Sequence, residues 1–167
     1  GGIYVSTNGG DSWSGRNRDI SALEYIHVSQ HPQWDAVMLG GTQDNGTQRY
    51  GGHPAWTFAA YGDGGFTAID PNNPIRMYHG YTGNTFYRSD NAGDISSWMN
   101  KTGSITGSAI FYPPFILDIS DPDVCYFGND TLWRSPDNAD NWVTITATLT
   151  GSITAIAVDP DEQLRDK

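Results

Sequence analysis

Two short segments concentrate the residues able to do chemistry. Gly41-Thr42-Gln43-Asp44-Asn45-Gly46-Thr47 and Tyr61-Gly62-Asp63-Gly64-Gly65-Phe66 each set one carboxylate among glycines. Turn chemistry alone accounts for both, because Asn45-Gly46 and Asp63-Gly64 are ordinary turn-forming pairs. The carboxylates of Asp44 and Asp63 are also hard oxygen ligands of the kind Ca²⁺ takes, yet nothing around them has the spacing of an EF-hand loop. No other cofactor is expected. Flat rings stack on sugars, and Tyr50, Trp56, Tyr61, Tyr81 and Tyr112 lie in or near loops. Asp44, Asn45, Trp56, Tyr61 and Asp63 therefore form the candidate binding set. The competing reading of the rings is burial within the fold, and of the carboxylates, turn structure.

The remaining reactive side chains are less suggestive. His27, His31, His53 and His79 lack metal-ligand spacing. The single cysteine, Cys125, lies in the apolar run Val124-Cys125-Tyr126-Phe127 and reads as a small buried hydrophobe. One cysteine permits no disulfide within the chain. Asn45-Gly46-Thr47, Asn100-Lys101-Thr102 and Asn129-Asp130-Thr131 match the N-glycosylation pattern, which matters only in a eukaryotic secretory setting.

Composition narrows the class. The formal net charge of -10 disfavours nucleic acid and anionic membrane surfaces as partners. No stretch is apolar and long enough to span a bilayer. The acids are nearly all Asp, with Glu only at Glu24 and Glu162. Asp marks turns where Glu favours helices, so the chain leans all-β.

These segments must be held by some scaffold, and a repeat reveals it. Trp13, Trp56, Trp98 and Trp142 follow one another at intervals of 43, 42 and 44 residues. Each interval has the same order: a β-branched or apolar strand, a Pro-containing turn, a second strand, a Gly or Asn turn, a third strand, and the tryptophan at a fourth. Periods of about 40–50 with four short strands per unit mark β-propeller blades. The expected fold is therefore all-β, with blades of four antiparallel strands in an incomplete arc. Residues 1–13 end one blade, 14–58, 59–98 and 99–148 are three full blades, and 149–167 start another. An open arc leaves sheet faces bare, so the expected partners are other blades or chains that complete the ring. The start on a strand, Gly2-Ile3-Tyr4-Val5, fits a piece of a longer secreted protein.

At the tryptophans the sequence resembles a known motif. Ser6-Thr7-Asn8-Gly9-Gly10-Asp11-Ser12-Trp13 is similar to the Asp box, Ser-x-Asp-x-Gly-x-x-Trp, with Asn8 in the Asp place. Ser135-Pro136-Asp137-Asn138-Ala139-Asp140-Asn141-Trp142 is a second copy, with Ala139 in the Gly place. Ser89-Asp90-Asn91-Ala92-Gly93 begins a third, whose Trp98 arrives two residues late. Trp56 has no box before it. The pattern resembles the BNR-repeat, or Asp-box, propellers: sialidases, sortilin-type receptors and xyloglucan-cleaving endoglucanases.

The resemblance implies that Ser6, Asn8, Gly10, Trp13, Ser89, Asn91, Gly93, Trp98, Ser135, Asp137, Ala139 and Trp142 determine the fold, on turns away from the ligand face. It also implies that Asp44 and Asp63 lie on the rim that carries ligands. Gly62-Asp63-Gly64-Gly65-Phe66 resembles the Gly-Asp-x-Gly-Gly-Phe region of xyloglucan-cleaving enzymes, one residue shorter. A catalytic carboxylate stands there in those enzymes. Glycosidases need two facing carboxylates, and the second would lie outside this chain. Sialidases clamp a carboxylate with three arginines; here Arg88 and Arg134 recur just before a box serine and read as blade structure. The expectation is a non-enzymatic extracellular module that binds protein or glycan or serves assembly. The alternative is part of a secreted glycoside hydrolase using Asp63.

Overall fold

The computed structural model describes residues 3–16 and 23–159. Among these residues there is no helix, and so none long and apolar enough to cross a membrane. β1 (Tyr4–Val5) and β2 (Ser14–Gly15) form a two-stranded ladder. Three four-stranded antiparallel sheets follow in strict chain order. The first contains β3 (Tyr25–Gln30), β4 (Met38–Thr42), β5 (Gly46–Tyr50) and β6 (Thr57–Ala60). The second contains β7 (Thr67–Ile69), β8 (Met77–Gly80), β9 (Phe86–Ser89) and β10 (Trp98–Asn100). The third contains β11 (Phe115–Leu117), β12 (Cys125–Gly128), β13 (Leu132–Ser135) and β14 (Val143–Thr144).

This is an open arc of propeller blades, as the tryptophan ladder implied. β3, β7 and β11 approach one another at the inner side. Each tryptophan of the ladder opens or directly precedes an outermost strand: β2, β6, β10 and β14. Residues 152–159 form no ladder, although Ile153 and Ile156 press on β12 at Gly128. The remaining residues expected to start another blade, 160–167, lie outside the described residues, as do 1–2 and 17–22.

The sheets hold together by their faces. Leu39, Ala59, Ile69 and Met77 fill the space between the first and second. Tyr78, Phe86, Phe115, Phe127, Trp133 and Trp142 fill the space between the second and third, with Cys125 at 0% exposure among them. Rings of this size bury the most apolar area per residue and dominate such a core. Burial also pushes the Cys125 thiol up to about 12, so it is an inert packing residue.

The three turns that begin with a box serine, before Trp13, Trp98 and Trp142, share one arrangement. The first serine accepts N–H bonds from positions three and five: Ser6 from Asn8 and Gly10, Ser89 from Asn91 and Gly93, Ser135 from Asp137 and Ala139. Positions four and five have positive φ in every case: Gly9 and Gly10, Ala92 and Gly93, Asn138 and Ala139. Asn8 and Asp137 add a bond from the N–H of Ser12 and Asn141, at 3.0 and 2.8 Å. Asn91 makes no such bond. With Trp98 two residues late, Asp94 at the sixth position accepts the Ser96 N–H on its Oδ1 instead. These turns lie on the lower rim, at the opposite ends of the strands from Asp44 and Asp63.

Neighbouring sheets are also joined by polar links that repeat. The Trp98 Nε1–H donates to the Ala59 carbonyl at 2.8 Å, and the Trp142 Nε1–H to the Lys101 carbonyl at 2.7 Å. In both cases the acceptor stands three residues after the preceding tryptophan of the ladder. In the other direction, Arg49 of β5 donates to the Ala92 carbonyl, and Arg88 of β9 donates to the Asn138 carbonyl at 2.6 Å. Those acceptors are the fourth turn residues, whose left-handed backbone turns the carbonyl toward the neighbouring sheet. Arg76 reinforces the second link by donating to Asn138 Oδ1 at 2.7 Å and pairing with Asp90 at 2.9 Å.

Candidate functional site

The upper rim is built from the β4–β5, β6–β7, β8–β9 and β10–β11 connections. Glycines let the first two lie backbone against backbone. A Cβ on Gly41 would stand 2.1 Å from the Gly65 carbonyl oxygen, and one on Gly46 would stand 2.0 Å from that of Ala60. The segments are sewn together by Gly46 N–H to the Gly62 carbonyl at 2.6 Å and Gly64 N–H to the Thr42 carbonyl at 2.8 Å. Ordinary side chains at these positions would force the segments apart.

This contact brings Asp44 and Asp63 together. Asp44 occupies the turn with φ of 61°. Its N–H donates to Asp63 Oδ1 at 3.0 Å. The same oxygen accepts the Tyr112 hydroxyl at 3.0 Å. Asp63 therefore ties three connections of the rim: β4–β5, β6–β7 and β10–β11. Burial raises the Tyr112 hydroxyl pKa, and its bond to the Asp63 carboxylate raises it further. The Tyr112 proton thus stays on its oxygen as a donor to Asp63. The Asp44 side chain is exposed, and Asn45 folds back to the Gln43 carbonyl at 3.1 Å.

The aromatic candidates separate. Tyr61 is 75% exposed and packs its ring on Phe58 at 4.8 Å. It borders a groove of about 460 Å³ between the first two full sheets, lined further by His79, Tyr81, Tyr87, Ile95 and Trp98. Phe111 is exposed on the same rim, beside Tyr112 at 4.7 Å. Trp56 is elsewhere. It opens β6 from the lower rim and packs against Tyr25 and Tyr50 at 5.3 and 5.5 Å. Tyr50 pairs with Met38 across the ladder, so this group covers the face opposite Leu39. Trp56 is thus not a neighbour of Asp44 or Asp63.

His79 is the buried ionisable group of the groove. It stacks on Tyr87 at 5.1 Å, meets Trp98 edge-on at 4.5 Å, and shares a 3.3 Å hydrogen bond with Thr47. Burial depresses its pKa to about 4, against a weaker upward pull from a bond to Gly80 backbone. The ring is neutral in the folded chain at pH 7. Below pH 6.5 the unfolded chain takes up a proton that the folded chain refuses, so stability falls as pH drops from about 6.5 to about 4. The expected loss approaches 3 kcal/mol at the acid end. Thermal midpoints measured across this range should fall for the chain and flatten for His79→Gln. Equal slopes for both would place the acid sensitivity elsewhere.

Other candidates are settled by their contacts. Among the described residues, no group of three or more His, Cys, Asp or Glu is placed to hold a metal ion. A cation at Asp44 and Asp63 would depend on carbonyl oxygens for most of its ligands. Arg49, Arg76 and Arg88 are occupied in the links between sheets, and Arg18 lies outside the described residues. Asn129 is fully buried and bonded to Asn84, Thr106, Thr131 and Trp133, which closes that glycosylation triplet to modification in the folded state. Sequence reasoning missed two contacts of the site: Tyr112 stood only among the loop aromatics, and His79 only among histidines without metal-ligand spacing. Tyr112 is 49 residues from Asp63, and His79 carried no spacing signal at all. Only the folding of one blade onto the next brings either into place.

No protein-family model matches the chain, and no curated protein matches it. Solved structures do. The chain is similar to a GH74 xyloglucanase from Xanthomonas campestris, with a TM-score of 0.58 and 19% identity over 73% of this chain and 20% of that one. It is similar to an ancestral GH74 enzyme, with a TM-score of 0.55 and 19% identity over 84% of this chain and 21% of that one. It is also similar to a GH74 enzyme from Niastella koreensis, with a TM-score of 0.54 and 16% identity over 71% of this chain and 17% of that one. The chain spans about a fifth of the length of these proteins. At such identities the likeness establishes a propeller fold.

Proposed function

We propose that the chain is part of an extracellular propeller of the Asp-box, or BNR-repeat, kind, and that its upper rim binds a neutral glycan without cleaving it. The observation that carries this reading is the pairing of an exposed aromatic rim with a carboxylate that has one oxygen tied into the rim and, among the described residues, no second carboxylate side chain turned toward it. Tyr61 and Phe111 present flat faces to solvent. Asp63, between them in the rim, is engaged by the Asp44 N–H and the Tyr112 hydroxyl. Both bonds fall on Asp63 Oδ1, and a glycosidase acid or nucleophile further needs a second carboxylate facing it. Asp44 shares the rim but approaches Asp63 through its backbone. No cofactor enters this reading, and the acidic charge fits a neutral or cationic partner better than an acidic one.

The alternative, a glycoside hydrolase fragment acting through Asp63, draws support from the neighbours, of which one is described as a xyloglucanase. Xyloglucan is therefore the polymer with which to begin. Retardation of the chain in a xyloglucan-containing native gel should be lost in Tyr61→Ala. Asp63→Asn should lower the thermal midpoint by loosening the rim, and no reducing ends should appear with either protein. Release of reducing ends that vanishes in Asp63→Asn, with the fold intact, would move the assignment to hydrolysis. Unchanged retardation in Tyr61→Ala would remove the aromatic rim from the proposal.

A further inference from the structure

The contact between the first and second four-stranded sheets differs from the contact between the second and third, and the differences form a set. The strand registers make the comparison residue by residue. Val37, Arg49, Gly51, Ile75 and Ala92 at the first contact correspond to Arg76, Arg88, Asp90, Asp123 and Asn138 at the second.

At the second contact a guanidinium fills the lower rim. Arg76 pairs with Asp90 at 2.9 Å and with Asp70 and Asp123 at 3.5 Å each, and it donates to Asn138 Oδ1 at 2.7 Å. Beside it, the Arg88 Nε–H donates to Asp90 at 3.0 Å.

At the first contact the cation and its four acceptor side chains are replaced together. Val37 stands for Arg76, Gly51 for Asp90, Ile75 for Asp123 and Ala92 for Asn138. His31 stands for Asp70. It is 2% exposed and accepts the Gln33 N–H on Nδ1 at 3.2 Å, so its other nitrogen is a donor, buried without a partner among the described residues. What remains is a cavity of about 190 Å³, walled by Trp34, Val37, Tyr50, Ile75 and Met77, with Arg49 beside them. Trp34 is 53% exposed and is backed by the His31 ring at 5.0 Å. Both sheets that form the cavity have all four strands, so it is not a face left at an end of the arc.

One charge survives there. Arg49 Nη1 donates to the Ala92 carbonyl, as Arg88 Nη1 does to that of Asn138. The Arg49 Nε–H has no acceptor among the described residues, because Gly51 has no carboxylate where Asp90 has one. Asp94 feels the Arg49 charge but forms no ion pair with it.

We propose that this cavity binds a small organic carboxylate with an aromatic body. The carboxylate takes the place of the Asp90 side chain and accepts the Arg49 Nε–H, a charge-assisted bond. The ring takes the space of the Arg76 side chain, against Trp34, Val37 and Ile75. Apolar walls with one fixed polar contact are the usual form of a small-molecule site. An organic cation is refused, since all four acceptor side chains are missing and its charge would be desolvated without a partner. The net charge of -10 opposes an anion at long range, but salt at 0.1 M screens that repulsion beyond about 10 Å and leaves the Arg49 contact.

Phenylacetate is the probe. Titrated into the isotope-labelled full chain, it should shift the Trp34 indole and Ala92 amide signals with a Kd of about 1–5 mM, the scale for a ligand of this size. Phenylacetamide, neutral and of the same shape, and phenethylamine, a cation, should bind at least about tenfold more weakly. Gly51→Asp restores the carboxylate of the second contact, and a Cβ on Gly51 meets nothing within 4 Å. It should abolish the shifts and leave the thermal midpoint equal or higher, while Gly51→Ala should keep the binding. No shift at the lower rim with about 20 mM phenylacetate, equal binding of phenylacetamide, or binding that survives Gly51→Asp would each overturn the proposal. Xyloglucan retardation reads the opposite rim and plays no part in this result, so the two readings fail separately.

Discussion

Trp142→Ala should cost about 3–5 kcal/mol of stability, read as a large fall in the urea midpoint. The side chain is 6% exposed and lies edge-on to Phe86 and Phe127 at 6.0 and 6.3 Å. Its loss opens a cavity in the main core and also removes the indole bond to Lys101, leaving that carbonyl without its donor. Trp13→Ala is the internal control. It alters the same motif position, but on an exposed ring, and should change stability by no more than about 0.5 kcal/mol. If both substitutions cost the same, the tryptophan acts through its own turn and the inter-sheet account is wrong.

Arg88→Met is expected to cost about 2–3 kcal/mol. The Arg88 side chain is 9% exposed and holds Asp90 at 3.0 Å, Asp140 at 3.2 Å and the Asn138 carbonyl at 2.6 Å. Breaking a fully buried pair costs about 3–5 kcal/mol because a charge is stranded. Here the partners are 37% and 47% exposed, and Arg76 and Lys101 still pair with them. The expected cost is correspondingly lower, and comes mainly from the Asn138 carbonyl. Arg134→Met, on the outer face of the third sheet, should be nearly neutral. Raising salt should shrink the Arg88 effect only slightly, since the site is mostly closed to solvent.

The architecture was legible because it is written in local periodicity. Four tryptophans at near-equal spacing mark four outermost strands, and turn residues mark their starts. The turn chemistry was less legible. Asn8 and Asp137 accept the N–H bonds their positions imply, but the serine hydroxyl satisfies two N–H groups in each of the three boxed turns and is the more constant acceptor. Asn91 differs because a two-residue insertion moves that work to Asp94. The rim was legible only in part. Asp44 and Asp63 were readable as rim neighbours because the connections that carry them lie at the same end of successive propeller blades. Trp56 went astray because its ring lies across a sheet face, a direction that spacing does not encode. Tyr112 and His79 enter through contacts between successive sheets, which no local pattern records.

The forward arginine and the returning tryptophan carry a further implication for how such chains change length. Arg49 finds its acceptor 43 residues later, and Arg88 finds its acceptor 50 residues later. Inserting or deleting one whole repeat keeps every donor in phase with an acceptor. Removing half a repeat strands an arginine on one side and an indole on the other. Tandem duplication in whole units is therefore the step that the clasp tolerates, and loop length between units can drift freely, as the difference between 43 and 50 records.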